Sequence, residues 1–235
     1  FPMSDARLSS PAALRNREPI HAVLRQCLGR HARVLELASG SGEHGLYMTQ
    51  CQPGWRWQPS DVSEAALASI AAWRALAAAD DGQGEAEGDR QGESEAQRAG
   101  PAGREPEQAT QGCGNLLAPV RRDVLEPWPD DTFDALVAIN LIHISPWEVT
   151  PALMAKAQAH LEPSGVLLLY GPYRRGGEHT APSNAAFDAD LRRRDPRWGV
   201  RDLEQVTEVA AEHGLSREAI HELPANNLAL VFRRQ

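Results

Sequence analysis

Apolar residues along the chain switch repeatedly between helical and strand spacing. Leu14, Ile20, Val23, Leu24, Cys27 and Leu28 recur at intervals that predict an amphipathic helix over residues 12–28. The run at 33–37 reads as a short buried strand, and the glycines after it open a helix over 43–51. A second strand, at 55–59, ends at Ser60 and Asp61. Ser63 then caps a helix that carries Leu67, Ile70, Trp73 and Leu76 on its apolar positions. Strands follow at 116–120, 133–140 and 165–170, with a helix after Pro146 that holds Leu153, Ala157 and Leu161. A long polar loop with one short helix precedes a helix over 202–213 that stops at Gly214. The last strands, 219–223 and 228–232, are separated by Pro224-Ala-Asn-Asn, short enough for a hairpin.

Repeated strand–helix units ending in a hairpin predict an α/β fold: a Rossmann-like, doubly wound, mostly parallel seven-stranded sheet. It has helices on both faces and an antiparallel hairpin at the C-terminal end. The stretch 80–114 breaks the pattern. It is rich in Gly, Glu, Gln, Ala and Arg, with Thr110 its only β-branched residue. Such a composition buries too little apolar surface to offset its ordering entropy, so a disordered acidic insertion into a single domain spanning 1–235 is expected.

The chain has 235 residues and a formal net charge of -8. Residues 80–107 hold nine acidic residues and three arginines, which accounts for -6 and leaves about -2 for the rest. That balance argues against a nucleic-acid surface. Apolar runs fall short of a membrane span, and Cys27, Cys51 and Cys113 show no metal-ligand spacing. The expected partner is a small molecule, without nucleic acid or membrane, and the expected setting is cytoplasmic. The oligomeric state is left open. The histidines show no paired spacing with thiols or carboxylates, so no metal is expected.

Chemistry concentrates in "VLELASGSGEHG", residues 34–45, where Gly40, Gly42 and Gly45 have the spacing of a dinucleotide-binding loop. By itself this spacing fits a nicotinamide-dependent oxidoreductase. Glu36 argues otherwise, because a carboxylate four residues before Gly40 repels a pyrophosphate and suits a ligand bearing an ammonium or sulfonium. Acidic residues recur at the ends of the first three strands, as Glu36, Asp61 and Asp123. Together they can serve a cationic amino-acid head, a ribose diol and an adenine amine.

These residues resemble the class I S-adenosylmethionine-dependent methyltransferases. More narrowly, "INLIHISPW" (139–147), "LYGPY" (169–173), "SNAAFD" (183–188), "RWGVRDLE" (197–204) and "PANN" (224–227) look like an uncharacterised methyltransferase-like family found in bacteria and animals. The resemblance implies S-adenosylmethionine as cofactor, S-adenosylhomocysteine as product and direct methyl displacement onto a small-molecule acceptor it does not name. It places Glu36, Ala38, Gly40 and Gly42 against the methionine part, Asp61 and Val62 at the ribose, Asp123 and Val124 at the adenine, and Asn140 near the methyl. His143 and Tyr173 are the candidates for exchanging a proton with the acceptor. Tyr170, His179, Ser183, Asn184, Phe187, Trp198, Arg201 and Asn226, in or beside the loops above the sheet, are the candidate acceptor contacts. A catalytically silent S-adenosylmethionine-binding protein is the other class this pattern allows.

Overall fold

Local chemistry sets where the elements begin and end in the computed structural model, which describes residues 5–84 and 114–235. The side chain of Ser10 accepts the Ala13 N–H and starts α1 (Pro11–Cys27). Gly42, in left-handed backbone, precedes α2 (Glu43–Cys51), and the Ser63 hydroxyl accepts the Ala66 N–H at the head of α3 (Glu64–Gly84). The strands between them, β1 (Ala32–Leu37) and β2 (Trp55–Asp61), pair in parallel.

Five further strands complete the sheet: β3 (Val120–Arg121), β4 (Phe133–Ile139), β5 (Leu161–Gly171), β8 (Leu215–Leu223) and β9 (Asn227–Arg234). The order is β3-β2-β1-β4-β5-β9-β8, parallel from β3 to β5, with β9 antiparallel to both β5 and β8. Chain order reverses between β1 and β4. Open α/β sheets bind ligands at the carboxyl ends of the strands at such a reversal.

The two faces sort by the period-two alternation of the strands. Val34, Trp57, Ala135, Val137, Val166 and Leu168 face Ile20, Val23 and Leu24 of α1 and Met48 of α2. Leu35, Leu136, Ala138, Leu167 and Leu169 face the opposite layer, with Leu153 and Met154 of α4 (Val149–His160) and Val206 of α6 (Leu203–Glu212). Both faces are covered, so the central strands read as nearly continuous apolar runs.

The expected seven-stranded sheet and terminal hairpin are present; several boundaries differ. The third strand, expected over 116–120, is reduced to β3 and an isolated bridge between Trp57 and Leu116. Pro119 has no N–H to continue the ladder. Helix α3 runs on to Gly84, into the first residues of the expected insertion, and residues 85–113 of that insertion lie outside the described residues. Leu161, expected in the helix, instead begins β5 and pairs with Phe133 across a bulge. The loop after β5 contains more structure than its polarity suggested. It forms a small hairpin, β6 (Arg174–Arg175) with β7 (Glu178–His179), and a full helix, α5 (Pro182–Arg194). Among the described residues no helix is long and apolar enough to cross a membrane.

Candidate functional site

The chain leaves β1 through left-handed backbone at Ala38, Gly40 and Gly42 (φ 51°, 59° and 90°), a path that turns the loop back over the strand ends. At Gly42 a Cβ would stand 2.8 Å from the Ile70 side chain, so glycine lets the loop lie directly on α3. Gly45 serves packing, since a Cβ there would meet the Trp57 indole at 2.8 Å. The loop is stitched to β2. Ser39 N–H donates to the Ser60 carbonyl at 2.8 Å, and the Ser60 hydroxyl donates to the Glu36 carbonyl at 2.6 Å. Asp61 braces both sides of the turn: one carboxylate oxygen accepts the Gly40 N–H and the other the Ser63 N–H, each at 2.9 Å.

Glu36 is 1% exposed beneath this loop, with the Trp57 indole N–H donating to its carboxylate at 3.2 Å. Burial pushes its carboxyl up from 4.5 to about 7, against the pull of its hydrogen bonds from Ser39 and Trp57. His44 stands 4.0 Å away, yet the two do not form an ion pair, because burial holds the imidazole down at about 4 and therefore neutral. Asn16 of α1 accepts the His44 Nε2–H at 2.6 Å, which leaves His44 Nδ1 as an acceptor facing Glu36. Asn16 also faces the Tyr170 hydroxyl on β5. A buried polar chain thus links α1, the glycine loop and β5.

A cleft of about 190 Å³ opens at the ends of β1, β2 and β3. Its walls include Ala38, Asp61, Val62, Asp123, Val124 and Leu125, together with Leu141 and Ser145 past β4. Asp123 is fixed by accepting the Leu125 N–H at 2.9 Å. Val62 and Leu125 are 53% and 52% exposed, among the most exposed large apolar side chains of the described residues, and both border this cleft. A second cavity, of about 140 Å³, lies between α1, Asn140, Tyr170 and the β8–β9 connection. Asn140 borders this cavity and its chain neighbour Leu141 the cleft. The backbone at Asn140 is left-handed (φ 61°), and its N–H donates to the Tyr170 carbonyl at 2.9 Å.

His143 is fully enclosed. Its Nδ1 accepts the Arg201 N–H at 3.1 Å, so in the neutral ring the proton sits on Nε2, against Gly171, where a Cβ would overlap the imidazole. Burial, with the Arg201 charge, lowers its basicity to about 3. Tyr173 packs edge-on against that ring at 4.7 Å, is equally enclosed, and burial pushes its phenol far up. Arg201 donates to the Ile142, Ser145 and Arg197 carbonyls, holding the segment after β4 to the segment before α6.

Of the expected cofactor residues, Ala38, Asp61, Val62, Asp123 and Val124 border the cleft and Glu36, Gly40 and Gly42 lie beneath or in its loop, whereas Asn140 stands apart from them on the second cavity. The expected acceptor contacts do not gather in the same way. Tyr170 lines the second cavity, whereas His179 and Arg174 contact Asp188, and Asn184 donates to Thr180 and to the Asn226 carbonyl. Ser183, Phe187 and Trp198 line neither cavity, and Arg194 stacks over Trp198 at 5.2 Å. Asn16, Arg15 and His44 were missed. Asn16 had a signal, being a polar residue on the otherwise apolar stripe of its helix. Among the described residues no three His, Cys, Asp or Glu side chains are grouped closely enough to hold a metal.

Solved structures share this fold. A putative O-methyltransferase from Nostoc punctiforme superposes with a TM-score of 0.69 at 14% identity, over 95% of this chain and 58% of its own. Human N-acetylserotonin methyltransferase, solved in complex with SAM, gives 0.66 at 10% identity over 95% and 52%. A putative sarcosine dimethylglycine methyltransferase from Galdieria sulphuraria gives 0.66 at 14% identity over 98% and 92%. The chain therefore spans little more than half the length of the first two. By sequence, over residues 7–85 and 90–234, the chain belongs to the family described as "Protein of unknown function (DUF938)".

Proposed function

We propose that the chain is an S-adenosylmethionine-dependent methyltransferase acting on a small-molecule acceptor, within one domain. The observation that carries this reading is the cleft, with carboxylates at Asp61 and Asp123 and exposed apolar walls at Val62 and Leu125. Exposed apolar side chains lining a cleft fit a flat base, and a carboxylate braced by two backbone N–H groups still has lone pairs for a ribose diol. Asp61 and Val62 would hold the ribose, Asp123, Val124 and Leu125 the adenine, and the Glu36–Gly42 loop the cationic end. When bound, S-adenosylmethionine supplies a methyl already activated on a sulfonium. Neighbours of the same fold are named as methyltransferases, several solved with SAM or SAH bound, in support of that cofactor.

The chain's own task is then alignment and exclusion of water. Asn140, which lines the second cavity, would orient an acceptor. The burial of His143 and Tyr173 argues for a positioning role: with Arg201 they fix the segment after β4 that carries Asn140 and Leu141. Calorimetric titration tests the cofactor assignment. S-adenosylhomocysteine binds the wild-type protein, NADH does not, and Asp61→Asn weakens binding by about 10- to 100-fold, the worth of a charged hydrogen bond. NADH binding without S-adenosylhomocysteine binding would return the site to the oxidoreductase class.

A further inference from the structure

The two cavities differ in charge and in hydrogen-bonding sense. The cleft presents the carboxylates of Asp61 and Asp123. Among the described residues, the cavity on the other side of Asn140 is lined by no carboxylate; its one formal charge is Arg15. Arg15 lies exposed on α1 and forms no ion pair or side-chain hydrogen bond among the described residues. Arg15 and Tyr170 both line this space.

Two of the three amides around it, Asn16 and Asn140, offer NH2 groups, whereas Asn227 spends its NH2 on the Pro224 and Ala225 carbonyls. Asn16 spends its oxygen on His44 Nε2–H, which leaves its NH2 group to the Tyr170 side. Asn140 Oδ1 is sealed from solvent without a partner among the described residues, so the polar end that Asn140 offers the cavity is its NH2. A guanidinium and two amide NH2 groups around a space without a carboxylate form an anion site, and a guanidinium suits the planar carboxylate in particular. The volume, about 140 Å³, is close to the ~150 Å³ that accommodates a single benzene ring.

Resting on the methyltransferase reading above, we propose that this cavity holds the methyl acceptor, and that the acceptor is a small carboxylic acid bound as its anion through Arg15 and the Asn16 and Asn140 amides. The site and the cleft are lined by consecutive residues of the chain, Asn140 on one and Leu141 on the other.

Benzoate and nitrobenzene separate charge from shape, being nearly isosteric with one anionic. Each is titrated into the S-adenosylhomocysteine complex of the wild-type chain and of Arg15→Gln, with binding followed by ligand-observed NMR. Benzoate is expected to bind the wild type about tenfold or more tightly than nitrobenzene, and Arg15→Gln to remove that preference by weakening benzoate alone. Equal binding of the two probes to wild type, or a preference that survives Arg15→Gln, overturns the anion assignment. S-adenosylhomocysteine titrated into both proteins beforehand reports the cleft separately. Failure to bind it defeats the methyltransferase reading, and the benzoate comparison, repeated without it, still decides the anion site.

Discussion

Glu36→Gln should make the protein more stable at alkaline pH while weakening its hold on the cofactor. The side chain is fully buried, and its carboxyl is raised from 4.5 to about 7 chiefly by that burial. Between those two values the folded chain keeps a proton that the unfolded chain has released. Folding stability therefore falls as pH rises through this window, and the loss is complete above about 7. The distance from 4.5 to about 7, at about 1.4 kcal/mol per pH unit, makes the ionised carboxylate cost on the order of 3 kcal/mol at pH 8.5. Glutamine keeps the shape and the acceptor for the Trp57 indole N–H, and its NH2 would face the free His44 Nδ1. Nothing in it ionises.

The assay is thermal unfolding of both proteins from pH 5 to 8.5 without ligand. His44 and His143, with imidazoles lowered to about 4 and about 3, contribute the opposite slope: the unfolded chain binds protons they refuse, so their term raises stability up to about pH 6.5. The difference between the proteins removes that shared background. The variant should gain steadily up to about pH 7 and then hold a lead of several degrees, taking about 2–4 °C per kcal/mol for a chain of this size. On the proposed reading, its affinity for S-adenosylmethionine should fall about tenfold or more as a charge beneath the cationic end is lost. Parallel melting curves, or a variant less stable at pH 8.5, would refute the reasoning by showing that Glu36 is not an ionised buried cost.

Gly171→Ala should destabilise the fold by about 1–3 kcal/mol, because its Cβ would overlap the His143 ring and force that ring off the Arg201 N–H; chemical denaturation measures it. Asn16→Leu should cost about 1–3 kcal/mol through the unpaired His44 Nε2–H, with the His44 NMR resonances shifted; unchanged stability would mean that water replaces the amide. Gly42→Ala combines left-handed backbone with a clash against Ile70, so both thermal stability and S-adenosylhomocysteine affinity should drop.

Legibility in the sequence follows the range of the interactions concerned. Strand–helix alternation and the terminal hairpin were readable because both sheet faces are covered and each helix carries its own apolar stripe, which are local signals. The positions of Glu36 and Asp61 beside the glycine loop were readable for a related reason: each stands at the end of an apolar strand, and the sheet places the two strands side by side. The loop after β5 was not. Its aromatic and basic residues suggested an acceptor surface, but Asp188 gathers Arg174, His179, Arg192 and the Val200 N–H, and Arg201 goes to three carbonyls. Those partners lie 4 to 59 residues away, and neither composition nor spacing reveals whether an arginine is free for a ligand or already committed to its own chain.

That distinction changes where specificity resides. A polar loop whose charges satisfy one another offers a ligand little beyond shape, because taking any one of them would leave its buried partner unpaired. Arg15 and the Asn140 side-chain amide have no such commitment among the described residues, and they stand on α1 and just past the end of β4, elements that carry the core clusters. On the proposed reading, recognition would be carried by groups on the core, while Arg201 ties the segment after β4 to the segment before α6. The same division accounts for His143: an imidazole with one nitrogen spent on Arg201 and the other against Gly171 is built to keep a segment in place. Its replacement should move KM and stability together and leave the pH profile of methyl transfer unchanged, whereas a histidine that exchanged the acceptor's proton would shift that profile.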